Sequence, residues 1–227
     1  MSNITLFTRV ALAGAMTFAL ANAHAAINIS EVAPWSSSIS PVAADWFELT
    51  NTGASAVNIS GWKMDDNSNL FASSVALNNV TSIAAGQSVI FVEGTAATAT
   101  SFMSNWFGSA VPAGFAIGFY SGSGVGLGNS GDAVNIFNSS GVAQASVTFG
   151  VSDAASPYRT FDNAAGLNNA TISQLSAVGV NGAFKAVNSQ IEIGSPGSVS
   201  AVPEPESYAL LLAGIGLIAT FVRKSKR

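Results

Sequence analysis

The 227-residue chain contains no cysteine. Disulfides, iron–sulfur clusters, thiolate zinc sites and cysteine nucleophiles are excluded, so stability must come from apolar burial and hydrogen bonds. Histidine is nearly as scarce, with His24 as the single one. That residue sits at an expected leader-cleavage site, and a cut after Ala25 removes it, leaving the mature body no Ser-His-Asp triad, imidazole base or histidine-ligated metal. Positive charge is the third shortage. Between residues 26 and 201 only Lys63, Arg159 and Lys185 are basic, against ten acidic residues from Glu31 to Glu192. A body so acidic has no stripe with which to neutralise phosphates, which argues against nucleic acid as a partner.

Long apolar runs are confined to the two ends. Arg9 precedes the apolar stretch Val10–Ala21, and Ala23-His24-Ala25 supplies the small-x-small pattern of a cleavage site. This predicts a signal peptide over residues 1–25, cut after Ala25 or, as second choice, after Ala23. At the other end, Val202-Pro203-Glu204-Pro205-Glu206-Ser207 is followed by the apolar run Tyr208–Val222 and then by Arg223-Lys224-Ser225-Lys226-Arg227. Prolines lack the backbone N–H and keep the chain extended, so a receptor or protease can read the first part without unfolding anything. The apolar run predicts a single transmembrane helix over 208–222. At fifteen residues it is shorter than the roughly 20 of a comfortable span, a mismatch that snorkelling basic side chains absorb. Arg223, Lys224, Lys226 and Arg227 then stay on the cytoplasmic side. Both ends therefore place the body outside the inner membrane.

The order Pro-Glu-Pro, apolar span, basic end resembles the PEP-CTERM sorting tail of Gram-negative bacteria, with Val202, Pro203, Glu204 and Pro205 as the sorting motif. The resemblance implies processing by exosortase, a membrane transpeptidase-like protease. It also implies export through the inner membrane, anchorage there before the cut, and a final place at the cell surface or outside the cell. An ordinary single-pass anchor is the alternative.

The body reads as short strands separated by turns, without a long amphipathic helix. Ile27–Val32 alternates as a half-buried strand does, and Asp45–Asn51 sends Phe47 and Leu49 to one face and Trp46, Glu48 and Thr50 to the other. Further strands are expected at Val57–Ser60, Ser88–Glu93, Ala116–Tyr120, Ala133–Phe137 and Gln144–Phe149. Many short strands at this spacing predict an all-β sandwich. The succession Ile29-Ser30-Glu31-Val32, Asp45-Trp46-Phe47-Glu48-Leu49-Thr50-Asn51-Thr52-Gly53, Val57-Asn58-Ile59-Ser60-Gly61-Trp62, Leu127-Gly128-Asn129-Ser130-Gly131-Asp132 and Ile193-Gly194-Ser195-Pro196-Gly197 resembles the lamin tail domain. That resemblance implies an immunoglobulin-like β-sandwich over residues 26–200, between the signal peptide and a sorting tail at 202–227. Two stretches depart from the family pattern: Pro112–Gly126 is glycine-rich, and Val151–Gln190 carries only faint signals.

Few constellations in the body point to chemistry. Trp46 and Trp62 are expected as core or edge anchors, whereas Trp35 and Trp106 are candidate stacking platforms for sugar rings. Glu48 is expected to order the Asn51-Thr52-Gly53 turn. Asp65-Asp66-Asn67-Ser68-Asn69 opens like a calcium loop, but Leu70 replaces the required glycine and Ala76 the closing glutamate, so a hydrogen-bonded turn is the expectation. Asp132 and Asp162-Asn163 are expected in turns. Gly122–Gly128 lacks the Gly-Lys-Ser/Thr ending of a phosphate loop. Paired acids support glycoside hydrolysis only at a fixed separation, and the acids here stand singly. The expectation is an exported, non-catalytic structural or adhesive protein of the surface or extracellular matrix, with no metal and no cofactor. The alternatives are a carbohydrate-binding module for exopolysaccharide, using Trp35 and Trp106, and a carboxylate-dependent hydrolase.

Overall fold

Runs of Val, Ile and Phe broken by Gly, Asn and Ser favour short strands and tight turns. The computed structural model describes residues 27–35, 40–163 and 170–198. In chain order its strands are β1 (Ile27–Ala33), β2 (Trp46–Asn51), β3 (Val57–Asn58), β4 (Lys63–Asp65), β5 (Val75–Ala76), β6 (Ser82–Ile83), β7 (Ser88–Glu93), β8 (Ala116–Tyr120), β9 (Asp132–Phe137) and β10 (Ala143–Phe149). They continue with β11 (Tyr158–Arg159), β12 (Phe161–Asp162), β13 (Thr171–Ile172), β14 (Phe184–Lys185) and β15 (Glu192–Gly194), and one helix, α1 (Ala96–Phe107), stands between β7 and β8. The signal peptide and the whole sorting tail, including the predicted helix 208–222, lie outside the described residues. No helix among the described residues is long and apolar enough to cross a membrane.

Two five-stranded sheets, ordered β12-β1-β2-β7-β8 and β13-β10-β9-β4-β5, enclose the main core. Ile29, Val32, Phe47, Leu49, Val89 and Phe91 from the first sheet share it with Met64, Val134, Ile136, Val147 and Phe149 from the second. Phe47 stacks on Phe91 with ring centroids 5.7 Å apart. The result is predominantly β and consistent with the expected sandwich.

It is not all-β. Strands β7 and β8 run parallel, and a parallel pair needs a crossover, which α1 supplies. Thr95 caps the helix in a reciprocal box with Thr98, and Ala99, Phe102 and Trp106 recur at three- and four-residue spacing on its buried side. No long amphipathic helix was expected and this one is short, at 12 residues, but the sequence reading placed no helix here at all. The segment escaped notice because it carries no charged residue and is rich in Thr and Ser, which depress helix propensity.

The helix roofs the outer face of the first sheet. A second apolar cluster forms there from Ala33, Trp46, Ile90 and Val92 of the sheet and Ala99, Phe102, Trp106 and Phe107 of α1. Trp46, Glu48 and Thr50 do point away from Phe47 and Leu49, yet every residue of β2 is buried. The clean alternation expected along β1 is also corrected. Its pairing with β2 slips between Ile29 and Glu31, where Ser30 forms a bulge. The extra residue lets Ile29 and Val32 share the apolar core while Glu31 stands opposite Glu48, sparing the sandwich interior a carboxylate.

Candidate functional site

Polar residues are gathered on the part of the roofed face that the apolar cluster leaves free. Asn163 holds the bulge open: its N–H donates to the Ser30 carbonyl and its Nδ2 to the Ile29 carbonyl, both at 2.8 Å. From the bulge Ser30 Oγ donates to Glu48 Oε1 at 2.5 Å, and Thr50 Oγ1 donates to Ser30 Oγ at 2.8 Å. Ser88 Oγ continues the chain to Thr50 Oγ1 at 2.5 Å. A hydroxyl relay thus runs across β7, β2 and β1 to end on a carboxylate.

Glu31 and Glu48 are each 1% exposed and directly opposed across the β1–β2 ladder. Thr160 Oγ1 donates to Glu31 Oε1 and shares a 2.5 Å hydrogen bond with Ser176 Oγ. The other donors come from the end of the body: Ser195 N–H reaches Glu31 Oε1 at 2.8 Å, and Gly197 N–H reaches Glu48 Oε2 at 2.6 Å. Gly194 makes room for this, because a Cβ there would lie 2.7 Å from Glu31 Oε1 and 2.9 Å from Thr160 Cγ2.

Burial pushes the Glu31 carboxyl well above the usual range, and the neighbouring Glu48 and Asp162 charges push it further against the Thr160 and Ser195 donors. Burial also raises Glu48, to about 7, against donors from Ser30, Gly197 and Ser88. Like charges directly opposed on a ladder repel, and the low-dielectric setting sharpens that repulsion. The pair therefore retains a proton at neutral pH. Glu31 Oε2, buried and without a partner among the described residues, is the oxygen free to carry it. A third carboxylate, Glu192, is 0% exposed and accepts from Asn105 Nδ2 and, at 2.8 Å, from Ser189 Oγ.

Such an arrangement suits clamping backbone rather than turning over substrate. General acid–base groups must reach the proton they move, whereas Glu31 and Glu48 lie beneath Ser195–Gly197. An open pocket of about 370 Å³ lies beside the helix, lined by Pro41, Val42, Thr100, Ser101, Ser104, Asn105 and Asn188, and its lining includes no carboxylate.

The other candidates are relocated. Trp35 and Trp106 are both 0% exposed, so neither offers a face to a sugar ring. Each packs edge-on against Trp46, with centroids at 6.1 and 5.8 Å, because large apolar rings gain more from burial than from solvent. Trp62 belongs to the main core as expected. Glu48 does not order the neighbouring turn; Asn51 does, accepting from Gly53 N–H at 2.9 Å and donating to the Ser55 carbonyl at 2.8 Å. Asp65 accepts from Ser68 Oγ at 2.6 Å and Leu70 N–H at 2.7 Å, the expected hydrogen-bonded turn. Asp162 is a strand residue paired with Glu31 rather than a turn-former. Among the described residues no group of three or more acidic side chains is arranged to hold a metal ion. Val202, Pro203, Glu204, Pro205 and the terminal basic cluster lie outside the described residues.

Sequence reasoning missed Thr160, Ser176 and Ser195 as partners in the acid cluster, and Glu192 as a separate buried carboxylate. The available signal was the ratio of three bases to ten acids, which means that side-chain cations cannot pair every carboxylate, so any buried one must find hydroxyl or backbone donors.

Two family models match the chain. The one described as Lamin Tail Domain matches residues 21–150, more than half of the 227 residues, and the one described as PEP-CTERM protein-sorting motif matches residues 201–227. The first match ends with β10, short of the Ile193–Gly197 segment. No curated protein matches the chain.

Proposed function

The chain belongs to the lamin tail domain family and ends in a PEP-CTERM protein-sorting motif, and on that premise we propose that it is an exported, non-catalytic protein of the cell surface or extracellular matrix. In this reading residues 1–25 direct export and are removed, residues 26–200 fold as the structural or adhesive body, and residues 202–227 form the sorting tail. Val202-Pro203-Glu204-Pro205 is read by exosortase. The apolar run 208–222 and the Arg223, Lys224, Lys226 and Arg227 cluster hold the chain in the inner membrane until it is cut.

The sorting motif matched at residues 201–227 carries the proposal. The body supports it by what it is made of: a cysteine-free core and buried acids engaged with backbone and hydroxyl donors. The exopolysaccharide alternative loses its platform with the burial of Trp35 and Trp106.

Mass spectrometry of the protein recovered from its native host tests the proposal. The expected mature chain begins after Ala25 or Ala23 and ends upstream of Tyr208. Deleting Pro203–Pro205 should leave an uncut, membrane-held chain, and unchanged processing of that deletion would overturn the reading.

A further inference from the structure

The segment that joins body to tail is gripped from beneath. Ser195-Pro196-Gly197-Ser198 closes a turn through Ser198 N–H donating to the Ser195 carbonyl at 2.9 Å. Proline second and a glycine at φ +77° third is the type II pattern. Two of its N–H groups point into the body, Ser195 toward Glu31 at 2.8 Å and Gly197 toward Glu48 at 2.6 Å. Just upstream, Thr160 N–H donates to the Ile193 carbonyl at 3.0 Å and Ala186 N–H to the Glu192 carbonyl at 2.9 Å. Both glutamates are 1% exposed, so water does not compete for the bonds. The chain is thus integral to the body through Gly197. From Ser198 to Pro203 are five Cα steps, which extend to about 18 Å at most. Tyr208 lies ten steps away, within about 36 Å.

We propose that Glu31 and Glu48 are positioning residues for processing: they clamp the Ser195–Gly197 turn onto the body, so that Pro203-Glu204-Pro205 is offered to the protease on a leash of five residues. The proposal rests on the exosortase reading above. Clamped, the protease works close against a folded domain, and leash length matters. Released, the turn adds its own residues to the leash.

That difference gives the test, made on the full-length protein in its native host with the processed fraction followed by mass. Deleting Val199-Ser200-Ala201 shortens the reach from Ser198 to Pro203 to about 7 Å and should slow processing several-fold. Inserting three Gly/Ser residues at the same place should leave it unchanged. Adding E31A and E48A to the deletion should restore processing toward the wild-type rate, because the freed turn lengthens the leash. E31Q with E48Q keeps an acceptor oxygen at each position and should not restore it. Rescue separates clamping from general support of the fold, since a merely destabilised body gives no reason for recovered cutting. Protease resistance of the body reports that each variant is folded. If E31A/E48A fails to fold, S195P replaces it, removing one of the two N–H groups while leaving both carboxyls. A cut wild type whose deletion variant is processed equally fast, or stays slow when the clamp is released, overturns this inference alone. A wild type that is never cut overturns the exosortase reading itself, and the inference with it.

Discussion

Glu31 and Glu48 face each other across adjacent antiparallel strands, and both are held by hydroxyl and backbone N–H donors. The arrangement has a thermodynamic signature. Both carboxyls are raised in the folded state, so folding takes up protons, and their contribution to stability is complete below the ordinary glutamate range. It is lost as pH rises through about 7 for Glu48, and Glu31, raised by its burial and by the neighbouring Glu48 charge, acts in the same direction. For Glu48 alone the loss is on the order of 3 kcal/mol. Asp153, held below its ordinary range by the Arg159 fork at 2.7 Å, acts with opposite sign at lower pH, but that pair is partly exposed and weak. The expected result is a higher melting temperature for the body at pH 5 than at pH 8, with the difference reduced in E48Q. A melting temperature rising between those values would refute the assignment.

Gly194 sets the closeness of the clamp. Gly194→Ala places a methyl 2.7 Å from Glu31 Oε1 and 3.1 Å from Trp106 Cη2, and should cost about 1–3 kcal/mol in urea unfolding. Gly150→Ala meets nothing within 4 Å and should stay within about 0.5 kcal/mol of wild type.

Tryptophan emission reports the burial directly. None of the four rings is more than 6% exposed, so acrylamide should quench the native protein weakly and the urea-unfolded protein strongly. Trp106→Ala should lower stability by about 3–5 kcal/mol. Strong native quenching would contradict the interior placement of Trp35 and Trp106.

Ser68 and Leu70 both donate to Asp65 Oδ2 and close the turn without an ion, although Oδ1 is buried with no partner among the described residues. Calcium or a chelator should therefore leave the melting temperature unchanged, since only a ligand that binds the native state raises it. A calcium-dependent rise that vanishes in D65N would show a site there.

Compact β-branched and aromatic runs bounded by turn residues, such as Ser88–Glu93 and Ala133–Phe137, were legible in the sequence and appear as β7 and β9. The helix was not, because its apolar spacing is carried by Ala99, Phe102 and Trp106 in a background of Thr and Ser. Nor was the partnership of Glu31 with Ser195, 164 residues apart, since local patterns carry no record of which turn closes over which strand. The bulge at Ser30 illustrates the limit. Alternation places Ile27, Ile29 and Glu31 on one face, and only the cost of burying a carboxylate among apolar side chains shows why the strand breaks step there.

The helical roof over the first sheet makes the body two-sided. The clamped turn, from which the tail departs, lies over the roofed side; β10 in the other sheet leaves Gln144, Ser146 and Thr148 exposed. A body moored through its roofed side turns its bare sheet outward, so a neighbour approaching from outside meets amides and hydroxyls around the single ammonium of Lys63 on β4.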